Sequence, residues 1–236
     1  MTDSCSHGQV VDSKQLCVSK VPFFNHLDTE EMVKIANMSR HKDFKKGEII
    51  FHDGDPLEYL YIVHQGRVKN YQLFESGKEQ LLRILEPGEF TGELALFTEK
   101  LLDSYAEALV KTNICMIHRE DMQNLMQTHP TIAVKILEEF TNRLDQTEKL
   151  VGQLSSKDVE TRIASYLMEL VENNNSVEIV LPMSKKDLAS YLGTTQETVS
   201  RRLSSFQTNG WIEQKGHRNI KIMDKDALSA IADEVK

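Results

Sequence analysis

The spacing of apolar residues changes character three times along the chain. Residues 1 to 20 are polar, and "VPFFNHLDTEEMVKIANM" then places Asp28 as an N-cap before a short amphipathic helix. From about 41 to 119 the apolar runs are short and rich in branched or aromatic residues: "EYLYIV", "RVKNYQLF", "EQLLRIL" and "NICMIH". Glycine-bearing turns separate them at "KKGE", "HDGD", "HQGR", "ESGK", "EPGE" and "FTGE", which predicts strands closed into a barrel or sandwich with hairpin corners. At His129-Pro130 the period switches again. Ala133, Leu137, Phe140, Leu144, Thr147, Val151 and Leu154 step by four and three alternately, the seam of a helix that packs against a parallel partner. Thr147 is the one hydroxyl in that seam, and a seam so short also suits a helix packed on its own barrel.

After "SSKDVETRIASYLMELVENNN" come a polar break, "VEIVLP", and a region that divides into "SKKDLASYLG", "TTQETVSRRLSSFQTNG" and "WIEQKGHRNIKIMD". Ser184 suits an N-cap; Leu188, Ala189 and Leu192 give an apolar stripe; Gly193 suits a tight turn between helices. Thr194 or Thr195 caps the next helix, whose inward face is Val199, Leu203 and Phe206. Gln196, Glu197, Ser200, Arg201 and Ser204 are left facing out, and a two-strand wing follows. The major groove asks for such a face: Arg donates in parallel to guanine, Glu accepts from cytosine, and small hydroxyls bind phosphates or base edges while letting the helix sit deep. The alternative is a solvated helix in a winged-helix module that binds protein.

Composition sharpens this reading. The chain has 236 residues with 40% hydrophobic content, suiting two modest domains, and its formal charge is −8, so a nucleic-acid surface must be a local patch. Residues 182–218 are such a patch. They hold six basic residues (Lys185, Lys186, Arg201, Arg202, Lys215, Arg218) against three acidic ones, a net +3 that leaves −11 on the other 199 residues. Three cysteines are too few for a disulfide scaffold, and the N-terminus lacks the layout of a secretion signal, so a reducing cytoplasm is expected. No apolar run approaches the roughly 18 residues needed to span a bilayer. An enzyme is not expected: the chain has no nucleophile–base constellation, no Gly-rich phosphate loop, and no His-x-His pair of the kind that barrel metalloenzymes use.

Taken together, "GEIIFHDGDPLEYLYIVHQGRVKNY", "LEPGEFTGELALF", the long helix and "DLASYLGTTQETVSRRLSSFQTNGWI" resemble the CRP/FNR superfamily of bacterial transcription regulators over nearly the full length. The resemblance implies an α+β architecture: a cysteine-bearing arm (1–20), a double-stranded β-helix sensor barrel of the cyclic-nucleotide-binding type (21–127), a dimerisation helix (128–154) and a winged helix-turn-helix (155–236). It implies a homodimer on palindromic double-stranded DNA, with RNA polymerase as a further partner. The FNR branch reads DNA with a Glu followed at three and four positions by Ser-Arg, and Glu197, Ser200 and Arg201 stand at that spacing. The implied operator is close to TTGAT, four bases, ATCAA. Thr195, Gln196, Ser204, Lys185, Arg202 and Arg218 complete the expected DNA-binding set, with Arg202 a phosphate contact or a solvated charge.

The signal is less sharply implied. Cyclic-AMP-binding members pair a Gly-Glu-Leu turn with an Arg-Ser pair ten residues beyond the Glu; here Gly92, Glu93 and Leu94 are followed by Asp103-Ser104. A carboxylate where a guanidinium should neutralise the cyclic phosphate argues against cyclic AMP, though another small ligand could use Glu93 and Ser104. Cluster-bearing FNR proteins hold a [4Fe-4S] centre on four cysteines. Cys115 matches the distant ligand and Cys17 the last N-terminal one, but the two intervening cysteines are missing, and Cys5 with His7 stands apart. No cofactor is therefore expected, an iron-sulfur or other metal site being the alternative. Some FNR-like proteins of Gram-positive bacteria carry one N-terminal and one barrel cysteine as a dithiol–disulfide pair, and Cys17 with Cys115 resembles that arrangement, Cys5 being a further candidate. The remaining possibility is that all three thiols have no sensing role.

Overall fold

The computed structural model describes residues 17–156 and 158–232. They form two compact units: residues up to Asn70 with Leu85–Thr141, and Tyr71–Ile84 with the residues from Asn142 onward.

The first unit opens with a 3-10 turn, Cys17–Lys20, and helix α1 (Thr29–Met38). Asp28 caps α1 through a reciprocal box: its carboxylate accepts from the Glu31 amide at 2.8 Å, and its own amide donates to the Glu31 carboxylate at 3.0 Å. Strands β1 (Arg40–Phe44), β2 (Ile49–Phe51), β3 (Tyr59–Gln65), β4 (Val68–Leu73), β5 (Glu79–Leu85) and β6 (Phe90–Thr91) follow; β4 ends, and most of β5 lies, in the second unit. A 3-10 turn, Glu93–Leu96, leads to β7 (Tyr105–Ala108), β8 (Thr112–His118), helix α2 (Arg119–Thr128) and the long helix α3 (Pro130–Ser156).

The strands make two four-stranded sheets, ordered β1-β8-β3-β6 and β2-β7-β4-β5. In β3 the period-two alternation sorts apolar residues onto both faces, since every second side chain points the same way. Tyr61 and Val63 pack with Phe44, Phe51, Val68 and Ala106 in one core. Leu60 and Ile62 join Phe23, Phe24, Ile35, Ile117 and Ile132 in another, formed with the 3-10 turn and helices. Double burial explains why "YLYIV" reads as a continuous apolar run.

Helix α3 divides the heptad seam seen in the sequence. Ile132 and Ile136 are fully buried in the core of the first unit, and Phe140 packs on that core with its ring 5.8 Å from Phe97. Leu137, Leu144 and Val151, at seven-residue intervals, are 59%, 59% and 56% exposed. Phe140 thus serves its own chain, and the leucine–valine row presents an apolar stripe without cover. Thr147 donates its hydroxyl to the Arg143 carbonyl at 2.8 Å, which satisfies it within the helix.

The second unit holds α4 (Val159–Asn174), β9 (Glu178–Val180), α5 (Lys185–Tyr191), α6 (Gln196–Thr208), β10 (Ile212–Lys215), β11 (Asn219–Ile222) and α7 (Lys225–Ala232). Its sheet is ordered β10-β11-β9 and is antiparallel. The expected two-strand wing therefore has a third strand: "EIV" of β9 pairs Val180 with Asn219 and buries Ile179. Among the described residues no helix is long and apolar enough to cross a membrane.

Gly92 shows how tightly the "FTGEL" turn is built. Its φ is +79°, and a Cβ there would stand 2.5 Å from the Tyr59 carbonyl oxygen, so the β3 backbone itself occupies the space a side chain needs. Gly92→Ala is expected to destabilise the first unit by about 2 kcal/mol or more. A urea titration that leaves its unfolding midpoint where the wild type has it would contradict the close approach.

Candidate nucleic-acid interface

Two hydroxyl caps start the helices of the helix-turn-helix. Ser184 Oγ accepts from the Asp187 amide at 3.1 Å and donates to the Asp187 carboxylate at 2.6 Å, opening α5. Thr195, rather than Thr194, caps α6, its Oγ1 accepting from the Thr198 amide at 3.2 Å. Between the helices Gly193 adopts φ +64°, and a Cβ there would touch Leu154 at 3.3 Å and the Arg162 guanidinium at 3.4 Å. The positive φ is what selects glycine, since both neighbours are side-chain ends at or near ordinary contact distance.

Helix α6 buries Val199, Leu203 and Phe206 completely. Gln196, Glu197, Arg201 and Ser204 are exposed and Ser200 is half-buried, so the residues read from the sequence as outward-facing share one surface. Glu197 lies in the first turn, where the helix dipole favours an anion. Ser204 donates to the Ser200 carbonyl at 3.0 Å, keeping the middle of the face low and small. The exposed guanidiniums of Arg201 and, in the wing, Arg218 have no carboxylate within ion-pair distance among the described residues.

The other expected contacts are partly engaged inside the unit. Arg202 pairs with Glu160 of α4 at 2.8 Å while its side chain stays 40% exposed, so it ties α6 to α4. Lys185 donates to Gln214 Oε1 at 2.8 Å, and the Gln214 amide donates to Gln207 Oε1 at 3.0 Å, tying α5, the wing and α6 together. Sequence reading missed Arg162, which is 9% exposed and donates to the Leu192 carbonyl at the end of α5. Burial lowers its pKa, with nearby Asp158 opposing that effect. The signal was a lone arginine in the apolar stretch "RIASYLM". Glu160 gave no such signal, because its partner lies 42 positions away.

The sensing candidates sit in the first unit. Glu93 begins the 3-10 turn after Gly92 and is half-buried; Ser104 is buried just before β7, beside exposed Asp103. Cys115 is fully buried in β8, opposite Ile62 of β3 and His41 of β1. Cys17 begins the 3-10 turn, only its backbone being described, and the next residue, Val18, shares the core that contains Cys115. Cys5 and His7 lie outside the described residues. Among the described residues no three His, Cys, Asp or Glu groups are placed to hold a metal ion.

Comparison with known proteins adds to this geometry. Residues 41–129 match the cyclic nucleotide-binding domain and residues 161–231 the Crp-like helix-turn-helix domain. The probable transcriptional regulator flp of Lacticaseibacillus casei is 32% identical, over 92% of this chain and 98% of that protein. The fumarate and nitrate reduction regulatory protein of Salmonella typhi is 31% identical, over 96% of this chain and 90% of its own. Among solved structures, FixK2 of Bradyrhizobium japonicum aligns with a TM-score of 0.73 at 27% identity, over 84% of this chain and 99% of FixK2. A CooA variant of Carboxydothermus hydrogenoformans shares the fold with a TM-score of 0.75 at 22% identity, over 89% of this chain and 93% of its own.

Proposed function

The chain belongs to the CRP/FNR family of transcription regulators and is not an enzyme, and from that premise we propose that it is a homodimer reading a palindrome close to TTGAT, four bases, ATCAA. The observation that carries this reading is the exposed face of α6, where Glu197, Ser200 and Arg201 stand together on a helix braced from behind. Arg201 supplies parallel donors for the guanine of each half-site, and Glu197 accepts from the paired cytosine or a neighbouring adenine edge. Thr195, Gln196, Ser204 and Arg218 border that face and supply phosphate or base-edge contacts; Arg202 and Lys185 act by holding it in place. RNA polymerase is the further partner.

Two-fold DNA requires a two-fold protein, and α3 supports one. Leu137, Leu144 and Val151 form an exposed apolar row along one helix face, the pattern of a parallel two-helix seam.

For the signal, the reading best supported is thiol redox through Cys17 and Cys115. What supports it is that the turn beginning at Cys17 packs on β3, which pairs with β8 at Ile62 and Cys115, and that Val18 of that turn shares a core with Cys115. A [4Fe-4S] cluster fits poorly, because the chain has three cysteines for a centre that takes four thiolates. A small ligand in the barrel, near Glu93 and Ser104, is the second reading; exposed Asp103 sets it against a cyclic phosphate.

A binding titration on the proposed duplex tests the reading face. Arg201→Ala should lose about 1–3 kcal/mol and discriminate less at the guanine position; equal wild-type affinity for every base there would refute the assignment. Leu144→Asp should give monomers by light scattering at micromolar concentration and lose the palindrome, whereas a dimer of unchanged stability would remove α3 from the interface. Under dithiothreitol and then mild oxidation, affinity should change while the protein stays colourless, and Cys17→Ser or Cys115→Ser should abolish the change. Indifference to redox state would leave the thiols structural.

A further inference from the structure

Beyond the reading face, the second unit contains an interlock between the β4–β5 hairpin and the end of α5. β5 is the edge strand of its sheet, so alternate backbone groups along its outer side lack ladder partners. The Ser190 hydroxyl meets two of them: it donates to the Glu79 carbonyl at 2.7 Å and accepts from the Leu81 amide at 2.7 Å. One oxygen, acting as donor and acceptor, stands in for the neighbouring strand at that point. Between those residues Gln80 reaches the other way, its amide donating to the Ser190 carbonyl at 2.7 Å and more weakly to Tyr191 at 3.4 Å. Lys186 adds a long ion pair to Glu79, at 3.8 Å.

We propose that Ser190 and Gln80 form a latch that sets the orientation of the reading helix, Ser190 being a positioning residue for DNA recognition. Ser190 is the penultimate residue of α5, and after Tyr191 the Leu192, Gly193 and Thr194 turn leads into α6. Fixing that end of α5 fixes the start of α6, and the hairpin residues Gly77 and Lys78 line a cleft with Thr194 and Gln196 at that start. In the latched arrangement Gln196, Glu197 and Arg201 remain exposed, so the latch holds the helix with its reading face uncovered. It therefore stabilises a binding-competent state, and opening it spreads the population over orientations that fit the groove less well.

This inference rests on the DNA-reading function proposed above, and its test separates the two. Ser190→Ala leaves the Leu81 amide and the Glu79 carbonyl without their partner, while Ser190→Thr keeps the hydroxyl. The full chain is titrated against the TTGAT palindrome and a scrambled duplex, and exchange of the Leu81 amide is followed in free protein. Ser190→Ala should bind about tenfold more weakly, the scale of two lost hydrogen bonds, with Ser190→Thr within about twofold of wild type. Its salt dependence should not change, because no phosphate contact is lost. Gln80→Leu should weaken binding in the same direction, and Leu81 exchange should accelerate in Ser190→Ala. Faster exchange with unchanged or tighter DNA binding would overturn the positioning role, and unchanged exchange would overturn the latch. A wild type that cannot tell the palindrome from the scrambled duplex sinks the reading function instead, with Leu81 exchange still deciding the latch.

Discussion

Burial of the central strands β3 and β8 on both faces is the constraint from which the first unit follows. A strand with water on neither side needs two apolar layers, and the chain supplies one as a second sheet and the other as helices. That second layer fixes where α3 begins: Ile132 and Ile136 must lie on the sheet, so the row carrying Leu137, Leu144 and Val151 turns away from it. The uncovered stripe is a geometric result of the helix period once its buried side is assigned. Exposed apolar area of this regularity is rare unless another surface covers it.

The second unit is organised around polar groups placed behind its working surface. Ser184 and Arg162 satisfy helix ends, and the Arg202–Glu160 pair joins α6 to α4. None of these atoms has to touch a base. Their effect is to leave a recognition helix few orientations, so that less order has to be imposed when it meets a ligand. A net +3 confined to this stretch of an acidic chain concentrates attraction to phosphate where the small outward side chains are.

Much of this was legible in the sequence, and the reasons are local. Asp28 three residues before Glu31, the strand runs between glycine turns, Gly193 between two capped helices, and the four–three spacing of Val199, Leu203 and Phe206 all encode structure within one or two turns of chain. What escaped was weakly patterned or distant. Helix α2 buries Met122 and Leu125 in an otherwise polar stretch, too little to mark a face. The third wing strand is only "EIV", too short to predict its partner. The true neighbours of Arg202 and Ser190 lie in α4 and β5, and no spacing rule links side chains that only folding brings together. The seam misled in one place: Phe140 keeps the heptad but spends its ring on Phe97.

Cys115 has no exposed surface, and that has a temporal consequence. An oxidant, a reductant or a partner thiol reaches its sulfur only when β8 or the turn over it opens, and such openings are infrequent in a well-packed core. Under the thiol-redox reading proposed above, the strand would act as a delay: brief pulses of oxidant would pass before the sulfur is reached, and a bond made behind that layer would persist after the oxidant has gone. On that reading, chemistry at this position integrates its surroundings over time instead of following them.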